Sequence, residues 1–352
     1  MIKNMTSMRK LSKTEIRDYA RTLVPILQSH ELDGTKSMRI ADAILTYAMK
    51  GLKPWYRRGS ALQGFVSPAF DPLKVIEGYL VYPMPGLSPI IIQTPTFGNA
   101  YLFLDISGSG GGGGGGGSGI ASTSAGYGQG GGGGADGGRL IVMTQGPFPS
   151  GTQLIASFGG NGGSGGAQTS TTTGNPGGAA QPGGIGQVFL GGGSITLSTP
   201  GGSAAAMPTP ASGQAAGGAG GNGGSAEFIY LSTTSVLSAI QIPPRTTDVD
   251  PNNAVNNGIG GYGVTSEYFN PSNIRPIFVS DPIGAIVYGG GSTAGSVGGN
   301  GDSATVSVPS GMIPLRGSGG GGAGGSNYNT LGYAGGNGGP GGPGPIIVLV
   351  II

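Results

Sequence analysis

What most constrains this chain is where its glycine sits: all but seven of its 80 glycines follow residue 106, in GG-x-GG clusters that alternate with short apolar runs. Glycine-rich composition by itself signals disorder. Here, however, the clusters are punctuated by YLFLDI (101–106), RLIVM (139–143), EFIYL (227–231), AIVY (285–288) and a terminal IIVLVII. Runs of β-branched and aromatic residues bounded by glycine read as strands. The glycine between them reads as extended threefold strand, which has three residues per turn and no internal hydrogen bonds. Its N–H and C=O groups therefore need partners on neighbouring strands, and a missing Cβ lets those neighbours come close. The triplets Gly338-Gly339-Pro340 and Gly341-Gly342-Pro343 fit that period. The sequence predicts a glycine-rich β/polyglycine-II body over 101–352, with a loop insert at 246–276.

The first hundred residues read differently. Leu11-Ser12-Lys13-Thr14-Glu15-Ile16 is a capping box, with Ser12 as N-cap, Glu15 at N3 and Leu11 with Ile16 as the hydrophobic staple. A helix is expected to run from there to about His30, bent at Pro25. A second helix is expected to present Ile40, Ile44, Leu45, Ala48 and Met49 on one face and to end at Gly51. Residues 1–58 therefore read as a small α-helical head, and the proline-rich stretch 59–100 as an extended β neck. The fold class expected is multi-domain: helical head, proline-rich neck, glycine-rich body.

Charge divides along the same line. Charged residues make up 9% of the chain, far below the usual quarter. Residues 1–58 carry a formal charge of +7 and the remainder −5. A basic head suits an acidic protein partner or packaged nucleic acid, and Arg17, Arg21, Arg39, Trp55, Tyr56, Arg57 and Arg58 are its candidate anchoring residues. Cations interleaved with aromatics at 50–58 would also suit nucleic acid. No apolar run approaches the roughly 18 residues of a membrane span, and a soluble chain without a secretory leader is expected.

Chemistry is poorly represented. There is no cysteine and only one histidine, which removes thiolate sites and leaves no histidine pair for a metal or a triad. G-x-G-x-x-G matches recur because the composition generates them, and none is followed by the Lys-Ser/Thr of a phosphate loop. Asp248-x-Asp250-x-Asn252 has the spacing of the first calcium-loop ligands, but Asn253 replaces the turn glycine and Ile259 the bidentate glutamate. It reads as an Asx-rich turn. The expectation is no enzyme, no cofactor and no metal.

The run 130–166, in which a glycine block leads into RLIVM, then PFPSGTQLIASF, then GGNGGSGG, resembles the glycine-rich domain of bacteriophage tail-fibre and adhesin proteins. VFLGGGSITLSTPGGSAAA (188–206) and the terminal GGNGGPGGPGPIIVLVII carry the same likeness, which spans about 101–352. It implies a virion structural protein (fibre, spike or adhesin), located at the virion surface, whose loops touch a host surface glycan or an outer-membrane protein. Its N-terminal part would join other virion proteins, as a homo-oligomer in the particle. Aromatics on polar, glycine-bearing loops bury large area at low entropic cost, so Tyr262, Tyr268, Phe269, Tyr328 and Tyr333 are the candidate receptor contacts. The rival expectation is a glycine-rich assembly protein with a nucleic-acid-binding basic head.

Overall fold

The computed structural model describes residues 7–29, 44, 75–82, 91–93, 99–119, 128–148, 153–157, 159–168, 173–190, 195–199, 201, 218–219, 221–230, 235–242, 268–269, 300, 313–314, 319–320, 323 and 333–351. Two β-sheets face one another. The first has six strands, all antiparallel, in the order β1 (Ser7–Lys10), β2 (Val75–Tyr82), β13 (Ile346–Ile351), β4 (Tyr101–Ser107), β5 (Arg139–Gln145), β10 (Ser235–Ile242). The second has five, in the order β3 (Ile91–Gln93), β6 (Gln153–Ile155), β7 (Gly186–Leu190), β9 (Ala226–Tyr230), β8 (Ile195–Thr199), and its β7–β9 pair is parallel. Because side chains alternate between faces along a strand, Leu102, Leu104, Ile106, Leu140, Val142, Ile346 and Val348 meet Leu154, Val188, Leu190 and Phe228 in one core.

The expected helical head is corrected here. Among the described residues there is one continuous helix, α1 (Lys13–Ser29), and it belongs to the sandwich. It begins where the capping box puts it: the Glu15 N–H donates to Ser12 Oγ at 3.2 Å and the Ser12 N–H to Glu15 Oε2 at 2.9 Å. The residues before it, however, are a strand, paired with β2 from Ser7↔Tyr82 to Lys10↔Tyr79. The helix then lies on the outer face of the six-stranded sheet. A Cβ added to Gly78 would come 2.7 Å from Ile16 Cγ1 and 3.1 Å from Leu349 Cδ2, so that glycine is the seat for the helix. The physical reason is that β4, β5 and β13 are apolar on both faces. Phe103, Ile141, Met143, Ile347 and Leu349 all point away from the inter-sheet core and still are buried, so something must cover them. The proline-rich neck is corrected with it, since β2 stands inside the six-stranded sheet and β3 edges the other. Of the expected second helix only Ile44, helical and buried, is described.

Beyond the sheets, six strands leave the sandwich to become glycine blocks, or arrive from them. Residues 108–119, continuing β4, lie at the centre. Their N–H groups turn by a third of a circle per residue. Gly108, Gly111, Gly114 and Gly117 donate to Gly138, Ala135, Gly132 and Gln129; Ser109, Gly112, Gly115 and Ser118 to Gly184, Gln181, Gly178 and Asn175; Gly110, Gly113, Gly116 and Gly119 to Gly342, Gly339, Gly336 and Tyr333, all at 2.7–3.2 Å. The carbonyls do the same toward three other strands. Gly110, Gly113 and Gly116 accept from Gly160, Gly163 and Gly166; Ser109, Gly112 and Gly115 from Gly224, Gly221 and Gly218; Gly111 and Gly114 from Gly320 and Ala323. One strand thus has six neighbours, donor and acceptor sides alternating around it. This is the hexagonal packing of polyglycine II, and a β-sheet, with two neighbours per strand, cannot make it.

Glycine is needed for clearance and not for its backbone freedom. None of the glycines whose surroundings are known in the lattice takes the left-handed conformation, yet a Cβ at Gly112, Gly115, Gly163 or Gly338 would sit well inside 3.0 Å of a neighbouring strand's backbone. The side chains of Asn161, Ser164, Gln181, Asn337 and Pro340 are exposed on its outer strands, and Ser109, Ser118, Ala135, Asp136 and Ala323 are buried within it. We expect Gly163→Ala, whose Cβ would lie 2.8 Å from the Gly115 nitrogen and closer still to the Gly178 carbonyl, to destabilise the fold by about 3 kcal/mol or more, the range of backbone overpacking. Ala179→Ser, on an exposed lattice position, should stay within about 0.5 kcal/mol. Thermal melts of the two variants check this.

Candidate functional site

The lattice has two ends, and they differ in chemistry. At the sheet end, Arg139 is the first residue of β5 after the glycine block and Asp105 stands on β4, diagonal to it in the register Ser107↔Arg139, Asp105↔Ile141. Arg139 Nε and Nη2 donate to Asp105 Oδ1 and Oδ2 at 2.7 and 2.5 Å, and the Tyr19 hydroxyl donates to Oδ2 at 2.5 Å. Arg139 and Tyr19 are 0% exposed and Asp105 2%. Tyr19 also meets Phe103 edge-on, centroids 6.5 Å apart. Burial, then the Asp105 charge, pushes the Tyr19 hydroxyl well above its ordinary range, with Arg139 opposing. The group is closed to solvent, so it holds helix to sheet and has no access to substrate.

At the far end stand Gly119, Gln129, Gln168, Thr173, Asn175, Pro176 and Tyr333. The Asn175 N–H donates to Ser118 Oγ at 2.7 Å and its Nδ2 to the Ala167 carbonyl at 3.0 Å, which fixes the side chain on the lattice. Gln168, Thr173, Asn175 and Pro176 are exposed, and Tyr333 is half-buried with its carbonyl accepting from Gly119 at 3.0 Å. Gln129 is 2% exposed and its Oε1 has no partner among the described residues. The surface here offers amides, a hydroxyl and an aromatic, with no acid, base and nucleophile set among the described residues.

Of the receptor candidates, Tyr333 is at this far end. Tyr268 and Phe269 form β11 (Tyr268–Phe269), paired with β12 (Ile313–Pro314) and lying beside α1. The structure therefore puts these candidates in two places. Tyr262 and Tyr328 lie outside the described residues. Of the anchoring candidates, Arg17 is half exposed with its Nε 3.8 Å from Asp18 Oδ1, and Arg21 is described only as part of α1. Arg39, Trp55, Tyr56, Arg57 and Arg58 lie outside the described residues. Arg9 and Lys10 are paired with Glu15 and Glu77, and these contacts hold both carboxyls below their ordinary range. Sequence reasoning missed Asp105 and Arg139. The available signal was that each is the lone charge of an apolar strand, opposite in sign, on either side of the glycine-rich stretch 107–138.

No protein-family model matches this chain, and no curated protein matches it. No helix among the described residues is long and apolar enough to cross a membrane.

Two outcomes follow for the buried group. Arg139→Met leaves the Asp105 charge unpaired and should cost about 3–5 kcal/mol, while Asp105→Leu combined with Arg139→Met should cost less than the single change. Tyr19→Phe should cost about 1.5–3 kcal/mol at neutral pH, the worth of a hydrogen bond to a charged group. A hydroxyl whose folded pKa is raised contributes stability that is present below the unfolded value, 10.0, and lost as pH rises through the folded value. Tyr79, pushed up to about 12 by burial and Glu77, acts in the same direction. Denaturant unfolding between pH 9 and 12 should therefore show falling stability, less steeply in Tyr19→Phe.

Proposed function

We propose that this chain is a virion structural protein, a fibre, spike or adhesin at the particle surface, that uses its glycine lattice to present a host-binding end. The observation that supports this reading is the hydrogen-bonded glycine lattice itself, whose exposed strands carry no charge. Its outer strands 159–168, 173–185 and 333–345 contain no charged residue, and its far end presents Gln168, Thr173, Asn175 and Tyr333. Function sits on loops held by a rigid scaffold, and the central strand of this scaffold is bonded to six neighbours. The ligand is a host surface glycan or an outer-membrane protein, met by amides and aromatics that adapt to either. The N-terminal region is the side that joins other virion proteins, with Arg17, Arg21, Arg39 and the 55–58 cluster as its contacts.

Mass spectrometry of purified particles should find the chain, and its absence removes the proposal. Particles carrying Tyr328→Ala with Tyr333→Ala should adsorb to host cells at least tenfold less while keeping the protein folded and incorporated. The same truncation at Tyr268 and Phe269 reads the second place separately, and Tyr262→Ala is tested on its own. Unchanged adsorption in both sets would take the aromatics out of the binding surface.

A further inference from the structure

A threefold strand repeats its direction every third residue, so each outer strand of the lattice has three registers. In 159–166 and 335–342 two of the three are glycine throughout. The third is Asn161 and Ser164 in one strand, Asn337 and Pro340 in the other, and all four are exposed. A Cβ at any glycine of 159–166 would lie 1.8–2.2 Å from a carbonyl oxygen of an adjoining strand. By the same turn, the Cβ of the third register points to where one more strand would lie. The spacing recurs in 173–185, whose exposed register includes Pro176, Ala179, Pro182 and Ile185. There the other two registers direct their N–H groups inward: Gly178 and Gln181 donate to Ser164 and Asn161, Ala180 and Gly183 to Ala219 and Asn222. The outward register is the one a further strand would need for donors, and proline at 176, 182 and 340 has none. At two more positions a side chain takes the donor. The Gly165 N–H donates to Asn337 Oδ1 at 2.8 Å, and the Asn337 N–H to Asn300 Oδ1 at 3.0 Å.

We propose that this third register closes the lattice, keeping glycine strands of a second copy of the chain from joining the bundle along 159–166, 173–185 and 335–342. Hexagonal packing has no edge of its own, because any outer strand offers the same sites as an inner one. A bundle that took in strands of other copies would grow by contacts that do not close, the route to fibres. Sheets meet this hazard at their edges and blunt it with proline or charge. Here a Cβ stands in the place of the next backbone, proline withholds a donor, and a carboxamide occupies another. The central strand, with six neighbours, has no outward side to protect, and there glycine runs unbroken from Gly110 to Gly117. Unbroken glycine thus specifies a central strand, and glycine interrupted at every third residue an outer one. This goes beyond the virion reading and stands without it.

The test compares the full chain with its variants by light scattering over rising concentration, with a thermal melt of each. Asn161→Gly, Ser164→Gly, Asn337→Gly and Pro340→Gly combined make 159–166 and 335–342 all glycine. That variant should self-associate at least tenfold more strongly than wild type while still melting cooperatively. Alanine at the same four positions restores the proline donor and removes the carboxamides but keeps every Cβ, so this variant should keep the wild-type mass. If the fourfold glycine variant does not fold, Asn161→Gly with Ser164→Gly opens one strand alone and is read in the same way. A folded glycine variant that keeps the wild-type mass at every concentration, or an alanine variant that associates as strongly as the glycine one, would overturn the proposal.

Discussion

Everything in this molecule depends on how closely extended backbones approach when they carry no Cβ. At the centre of the lattice each residue donates to one neighbour and accepts from another, and the direction turns with every step along the chain. That arrangement satisfies N–H and C=O groups that would otherwise be buried without partners, at a cost comparable to a lost hydrogen bond each. It also excludes side chains at the inner glycines, because a Cβ there meets a neighbouring backbone that cannot rotate away, while Ser109 and Ser118 on the same strand are accommodated. Glycine loses more conformational freedom on folding than any other residue, so the lattice stands only because the bonds form together.

The sheets start that cooperation. The antiparallel β4–β5 pair continues as 108–119 against 129–138, β13–β4 as 333–342 against the same centre, and the parallel β7–β9 pair as 175–184 beside 218–224. In the sandwich the two sheets are held apart by a layer of side chains, packed about 10 Å apart. Past Ile106 those side chains stop. At Gly186 a Cβ would already collide with the Ser107 carbonyl, which marks where two sheets converge into one lattice. The Asp105–Arg139–Tyr19 group sits at this junction and fastens α1 there, so the N-terminal segment is tied to the place where the architecture changes.

Much of this was legible in the sequence, and the part that was not has a common cause. The strands at YLFLDI and RLIVM, the capping box at Ser12 and the threefold reading of the glycine blocks rest on local pattern, and local pattern carries them. The placement of residues 7–29 does not. A short amphipathic helix with basic residues looks like a separate module when nothing shows what its apolar face meets, and its seat is Gly78, far away in sequence. The demand for a cover was nonetheless present: strands apolar on both faces, such as IIVLVI, need a layer on each side. The candidate site divides the same way. Aromatics on polar loops can be named from sequence, but their grouping depends on which lattice end each loop joins, as Tyr333 and the β11 pair show.

The most direct test of the lattice is amide hydrogen exchange, followed residue by residue, of Gly110 to Gly117. If these amides are bonded to the surrounding strands, they should exchange as slowly as those of Leu104 and Val348 in the sheet core, since both open only with the whole fold. Exchange of that glycine run at the rate of an unstructured chain, with β4 and β13 still protected, would contradict the account and leave the sandwich standing without its lattice.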